Sequence, residues 1–307
     1  MQLKYVNLKF KGYYYMKSYL FPGQGSQFLG MGKDLYEKNE FVTKIFETAN
    51  EILGFSITDI IFGDDEEALK RTDVTQPAIY IHSMAKAQMM GDLFQPDMAA
   101  GHSLGEFSAL AAAGAMSFED GLRLVAMRAK AMQLACEAHP GTMAAVLGLE
   151  NSIVEEVCNS IDEIVVPANY NCPGQLVISG SLKGIEMASL ELLKKGALKV
   201  VPLQVGGAFH SPLMEDAKVE LEKAIMVTEL KMPSCKVYHN VNAQPGSNLE
   251  EIRQNLIDQL TAPVRWTQTM QNMIQDGMTS ALEIGGSGSI LRGLLRKTDR
   301  NIPSETA

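Results

Sequence analysis

The sequence predicts an α/β protein built as a large domain with a mainly parallel sheet, interrupted by a small ferredoxin-like insert. Three observations carry this. Gly101-His102-Ser103-Leu104-Gly105 stands between a short apolar run and an Ala-rich segment, the strand–turn–helix setting of a Gly-x-Ser-x-Gly turn. Outside residues 139–207, apolar runs alternate with helical patterns, which favours parallel strands with helices on both faces. Inside that range the order reads strand, helix, strand, strand, helix, strand, the βαββαβ pattern.

The elements follow in order. Residues 18–21 form a strand that runs into the turn Pro22-Gly23-Gln24-Gly25-Ser26-Gln27, and helical patterns cover about 33–39, 41–53 and 73–91. The run 94–100 is expected to be a buried strand and the Ala-rich run 106–114 a helix. Ser117-Phe118-Glu119-Asp120 resembles a capping box, opening an amphipathic helix at 122–137 whose apolar face includes Leu122, Val125, Met132 and Leu134. The texture changes at His139-Pro140-Gly141. Strands are expected near 143–147, 164–169, 175–179 and 199–203, with helices at 152–160 and 182–195. The chain then returns to the large domain. Helices are expected at 212–227, 250–260, 267–276 and 289–297, and strands at 237–241 and 280–284. The expected division is therefore 16–138 with 208–307 for the large domain and 139–207 for the insert. Residues 1–15 are read as an N-terminal extension, either a late-starting arm without fixed order or an extended start.

Bulk properties narrow the function. The chain has 307 residues, 46% hydrophobic and 21% charged, ordinary for a globular protein. A net charge of −9 argues against a general nucleic-acid binder, and no apolar run is long enough for a membrane helix. Cys136, Cys158, Cys172 and Cys235 are widely spaced and read as free thiols, so a cytoplasmic, reducing compartment is expected and no metal site.

A serine at a sharp turn ahead of a helix can be a nucleophile, because free N–H groups at the helix start can hold an oxyanion. It needs a base. Of five histidines, His102 lies inside the turn, His82 in an apolar helix, His139 in a boundary loop and His239 in a strand. His210 lies just before a helix at the junction of insert and main domain, where a base could face a cleft. A helix-capping or core histidine is the alternative at that position.

The residues then carry a family resemblance. Phe21-Pro22-Gly23-Gln24-Gly25-Ser26-Gln27, Thr75-Gln76-Pro77-Ala78, Gly101 to Glu106, Gly207-Ala208-Phe209-His210-Ser211-Pro212-Leu213-Met214 and the segment from Gln259 through Pro263 to Trp266 occur in one order. Together with Asn169-Tyr170-Asn171-Cys172-Pro173-Gly174-Gln175, they resemble the malonyl-CoA:acyl-carrier-protein transacylases of bacterial fatty-acid synthesis over about residues 16–300. The resemblance implies an α/β-hydrolase-like large domain. It implies Ser103 as nucleophile, His210 as base and then acid, and the backbone carbonyl of Gln259 as the group orienting His210. The Gln24 and Leu104 N–H groups would form the oxyanion hole. Arg128 would grip a malonyl carboxylate, with Gln76, Phe209 and Asn171 also lining the acyl site. Read from its residues alone, Arg128 is better taken as an ordinary exposed or snorkelling helix arginine, and the resemblance reverses that preference.

The implied reaction is ping-pong acyl transfer from malonyl-CoA to the phosphopantetheine thiol of an acyl carrier protein, with no metal or organic cofactor. A monomer is expected. An acidic carrier would need a local basic patch, for which Lys194, Lys195 and Lys199, or Arg292, Arg296 and Lys297, are candidates; a solvated helix face is the alternative for each. Three other readings share some of these motifs: a serine esterase or thioesterase, a non-catalytic carrier-binding protein, and a trans-acting polyketide acyltransferase.

Overall fold

The computed structural model describes residues 16–307, so the extension read at 1–15 lies outside the described residues. Nine strands are described: β1 (Met16–Phe21), β2 (Met98–Gly101), β3 (Gly141–Leu147), β4 (Val165–Cys172), β5 (Gln175–Ser181), β6 (Lys199–Pro202), β7 (Lys236–Tyr238), β8 (Met278–Glu283) and β9 (Ser304–Thr306). The helices up to β3 are α1 (Lys33–Lys38), α2 (Glu40–Leu53), α3 (Ile57–Ile61), α4 (Glu66–Lys70), α5 (Thr72–Met89), α6 (Gly105–Ala112) and α7 (Phe118–Ala138). After it come α8 (Asn151–Ser160), α9 (Leu182–Lys194), α10 (Glu215–Val227), α11 (Leu249–Asp258), α12 (Trp266–Gln275) and α13 (Ile290–Thr298).

The larger sheet has the order β7-β2-β1-β8-β9, and its pairings are parallel. Its central strands β1 and β2 are buried on both faces and mostly apolar, with Ser18 a buried polar exception. Tyr19, Phe21 and Ala99 point into one core with α2, α5 and α6. Leu20, Met98 and Ala100, one residue out of phase, pack with Trp266, Met270, Leu291 and Leu295 of α12 and α13.

The second sheet, β4-β5-β3-β6, is antiparallel throughout. Its β5 lies between β3 and β4, so the chain crosses through α8 before returning. Ala144, Val146, Leu176 and Ile178 face α8 and α9. Met143, Ala145 and Val177 face the opposite way and join the main core. The small sheet thus presents its outer face to its own helices and its inner face to the larger unit.

Several expectations need correction. The strand expected at 94–100 is confined to 98–101, because Gly91–Leu93 forms a 3₁₀ turn and Phe94 packs edge-on against Tyr19. Leu134 is 56% exposed and not on the apolar face of α7. Two residues beyond Met132, it is rotated about 200° around the helix. The strand expected at 237–241 ends at Tyr238, where His239 and Asn240 turn toward Glu106. The short α3, α4 and β9 had no counterpart in the sequence reading.

Candidate active site

β2 ends at Gly101 and α6 begins at Gly105, leaving three residues to reverse the chain. Ser103 takes a left-handed φ of 52°, rare for a residue with a Cβ. The flanking glycines permit this. A Cβ on Gly101 would lie 1.9 Å from the Gly105 carbonyl, and one on Gly105 2.0 Å from the Phe21 carbonyl oxygen. Asn240 braces the turn from outside. Its Oδ1 accepts from the Ser103 N–H at 2.7 Å and its Nδ2 donates to the Gly101 carbonyl at 2.7 Å.

The Ser103 hydroxyl donates to His210 Nε2 at 2.8 Å, and His210 Nδ1 donates to the Gln259 main-chain carbonyl at 2.9 Å. The carbonyl fixes the tautomer, leaving Nε2 as the acceptor. Burial, together with the nearby Arg128 charge, pushes the His210 pKa down to about 3, so the ring is neutral at neutral pH. A neutral imidazole on a serine hydroxyl, oriented by a third group, has the layout of an activated nucleophile.

Arg128 rises from α7 into the same space and is buried. Its Nη1 donates to Gln76 Oε1 at 2.5 Å, and its Nη2 to Gln259 Oε1 and Ser103 Oγ, each at 3.0 Å. The guanidinium also lies over the Phe107 ring, 5.5 Å from its centre. Burial pushes its pKa down to about 9, with the Glu106 charge opposing, so it remains a cation. Its direct partners are amide and hydroxyl oxygens. A buried guanidinium held this way is suited to an incoming carboxylate.

These groups line a cavity of about 400 Å³ that also takes in Gln24, Gln76, Leu104 and Phe209. Gln24 reaches it because the turn after β1 lies against the elbow; a Cβ on Gly23 would come within 2.4 Å of the His102 carbonyl oxygen. Gln259 stands behind the wall, reaching it through His210 and Arg128, and Asn171 does not line the cavity. Its Oδ1 accepts from His102 Nε2 at 2.9 Å, and Asn169, two residues earlier on β4, lines the cavity instead. Met132 of α7, Met143 of β3 and Lys70 of α4 complete other parts of the wall.

Sequence reasoning missed the side chain of Gln259, together with Glu106, His239 and Asn240. A carboxylate inside an Ala-rich helix was the available signal for Glu106. The remaining histidines behave otherwise: His82 is buried in α5, and His139 pairs with Asp216 at 3.0 Å on the surface. Of the basic candidates, Lys194 pairs with Glu191 at 2.6 Å and Lys195 with Glu156 at 3.5 Å, while Lys199 is exposed. All four cysteines are free, and burial pushes the Cys158 thiol up to about 12. Among the described residues, no cluster of His, Cys, Asp and Glu could hold a metal, and no helix is long and apolar enough to cross a membrane.

A family model for the acyl transferase domain matches residues 18–306. The malonyl CoA-acyl carrier protein transacylase of Bacillus subtilis (strain 168) is 41% identical over 289 residues, 93% of this chain and 91% of the relative. The crystal structure of the Xanthomonas oryzae pv. oryzae malonyl-CoA:acyl carrier protein transacylase is 39% identical, with a TM-score of 0.91 over 95% of this chain and 94% of that one. A malonyl-transacylase solved in complex with its type II polyketide synthase acyl-carrier protein is 35% identical, with a TM-score of 0.90 over 95% and 96% of the two chains.

Proposed function

The chain belongs to the acyl transferase family, and we propose that it carries a malonyl group from malonyl-CoA to the phosphopantetheine thiol of an acyl carrier protein through a malonyl-serine ester. The observation that carries this reading is the buried Arg128 guanidinium 3.0 Å from the Ser103 hydroxyl, held by neutral oxygens. A simple esterase has no use for such a cation.

In the first half-reaction His210 Nε2 takes the Ser103 proton as Oγ attacks the thioester carbonyl. The tetrahedral oxyanion is held by the Gln24 and Leu104 N–H groups, where one donor contributes about 10²–10³ in rate. As it collapses, the imidazolium gives its proton to the leaving CoA thiolate. The second half-reaction reverses these roles: the carrier thiol loses its proton to His210 and attacks the ester, and Ser103 regains a proton as it leaves. The Gln259 carbonyl takes the place of a triad carboxylate in orienting His210. Arg128 grips the malonyl carboxylate with two charge-assisted hydrogen bonds, and Gln76 steadies the guanidinium. Acetyl-CoA would leave that cation unpaired, which disfavours it. The Phe209 ring occupies the space a branched acyl group would need.

The four-stranded antiparallel sheet with α8 and α9 supports a reading of 139–207 as a ferredoxin-like insert in a large α/β-hydrolase-like domain formed by 16–138 and 208–307. The protein is read as a cytoplasmic monomer, consistent with four free cysteines. A second reading, a trans-acting polyketide acyltransferase, is favoured by the similarity to a transacylase bound to a polyketide carrier.

The test is intact mass after mixing with malonyl-CoA or acetyl-CoA, then adding a fatty-acid or a polyketide carrier protein. A malonyl adduct on Ser103 that moves to the fatty-acid carrier, with little acetyl adduct, is expected. Faster transfer to the polyketide carrier would favour the second reading, and free malonate without an adduct would indicate a hydrolase.

A further inference from the structure

Glu106 is a fully buried carboxylate three residues past Ser103. Three donors converge on it. His239 Nδ1 donates to Oε1 at 2.6 Å, while the Asn240 N–H at 2.9 Å and Gln259 Nε2 at 2.7 Å share Oε2. His239 is itself fully buried, and its other ring nitrogen has no hydrogen-bond partner among the described residues. This carboxylate is directed at Gln259 and not at His210.

The Gln259 amide bridges two opposite demands. Its Nε2 donates to Glu106 Oε2 and to the Ser103 carbonyl at 3.1 Å, and its Oε1 accepts from Arg128 Nη2. A primary amide can turn over and exchange its oxygen and nitrogen. Turned over here, it would set an oxygen against a carboxylate and an NH₂ against a guanidinium. Glu106 therefore admits a single orientation, and that orientation holds the Arg128 nitrogen that also reaches Ser103 Oγ.

We propose that Glu106 is a positioning residue for acyl selection: it locks the Gln259 amide, the amide aligns Arg128, and discrimination between carboxylate-bearing and uncharged acyl groups depends on this relay. The proposal rests on the reading of Arg128 as the carboxylate clamp. A purely structural role would instead affect all acyl groups alike.

The test compares loading of Ser103 from malonyl-CoA and acetyl-CoA in wild type, Glu106→Ala and Glu106→Gln. In Glu106→Ala the malonyl-to-acetyl ratio of kcat/KM is expected to fall by about tenfold or more, through the malonyl-CoA KM. Glu106→Gln should keep the ratio within about threefold. Its side-chain oxygen can accept from Gln259 and Asn240, and its NH₂ can donate to His239 once that ring takes the other tautomer. An unchanged ratio in Glu106→Ala, or an equal loss for both acyl groups, overturns the proposal. So does a Glu106→Gln variant as unselective as Glu106→Ala, because charge and not orientation would then be responsible. If Glu106→Ala fails to fold by circular dichroism, Gln259→Ala decides. It keeps Glu106 and the main-chain carbonyl to His210, and it must lose the same selectivity for the proposal to stand. A wild-type protein that loads no malonyl would instead overturn the reading of function.

Discussion

Arg128→Ala separates acyl recognition from acyl transfer. The guanidinium is buried, and its partners in the empty site are two amide oxygens and the serine hydroxyl. On the proposed reading a malonyl carboxylate entering beside it would make a buried ion pair, and removing one member of such a pair costs about 3–5 kcal/mol. At about 1.4 kcal/mol per tenfold, malonyl loading should fall between roughly 10²- and 10⁴-fold in kcat/KM. Acetyl loading should change by less than about tenfold, since of the three hydrogen bonds lost only the one to Ser103 Oγ touches the reacting group, and a cation that acetyl leaves without a counter-charge is removed with it. Because the Arg128 charge also lowers the His210 pKa, the acidic limb of the variant's profile should move to higher pH. Stopped-flow CoA release with each thioester, from about pH 3 to 8, reads both effects. An equal fall for malonyl and acetyl would refute the reasoning, leaving Arg128 as a prop for the serine alone.

Four further predictions follow from the same geometry. With His210 held near a pKa of about 3, kcat/KM for malonyl loading by the wild type should stay nearly flat from pH 8 down to 5; a midpoint at 6.5 or above would contradict a neutral buried base. The same shift has a stability consequence. The unfolded chain protonates His210 below its ordinary 6.5 while the fold resists, so this residue's contribution is present above pH 6.5 and is lost as pH falls toward 3, which acid titration of the melting temperature would detect. Gly105→Ala should destabilise by about 3 kcal/mol or more, because its Cβ would lie 2.0 Å from the Phe21 carbonyl oxygen; an unchanged Tm would show that the elbow relaxes freely. Phe209→Ala should raise loading from a methyl-branched malonyl thioester by about tenfold relative to malonyl, and no gain would remove the ring from acyl selection.

Ser103 stood out in the sequence because Gly-x-Ser-x-Gly announces a forced turn, whereas His210 and Arg128 stood out only once the family resemblance was added, since a histidine before a helix and an arginine in an apolar helix each have ordinary structural readings. The carbonyl partner of His210 was reachable only through family resemblance, since a main-chain oxygen leaves no mark in residue type. Glu106 and His239 were hidden for a different reason. Their meeting depends on β7 lying beside β2, a pairing of segments about 130 residues apart. Asn171 was misassigned because a strand residue beside a cavity can turn its polar end to a neighbouring loop, and here the His102 ring was nearer. Leu134 shows the limit of periodicity read over too long a helix, where an apolar residue can stand on the solvent face.

The elbow and the small sheet share more than a boundary. His102, next to the serine, holds Asn171 of β4; the Tyr170 N–H donates to the Val264 carbonyl at 2.9 Å; the Val264 N–H donates to the Ala168 carbonyl at 2.8 Å; and Thr267 Oγ1 donates to the Tyr170 carbonyl at 3.0 Å. Val264 lies five residues past Gln259. These bonds stitch the strand to the stretch of chain that orients the base. A chimera that grafted residues 139–207 from a relative would therefore transplant part of the serine's own mounting. Such grafts should succeed only when both sides of the seam, near residues 168–171 and 264–267, are exchanged together.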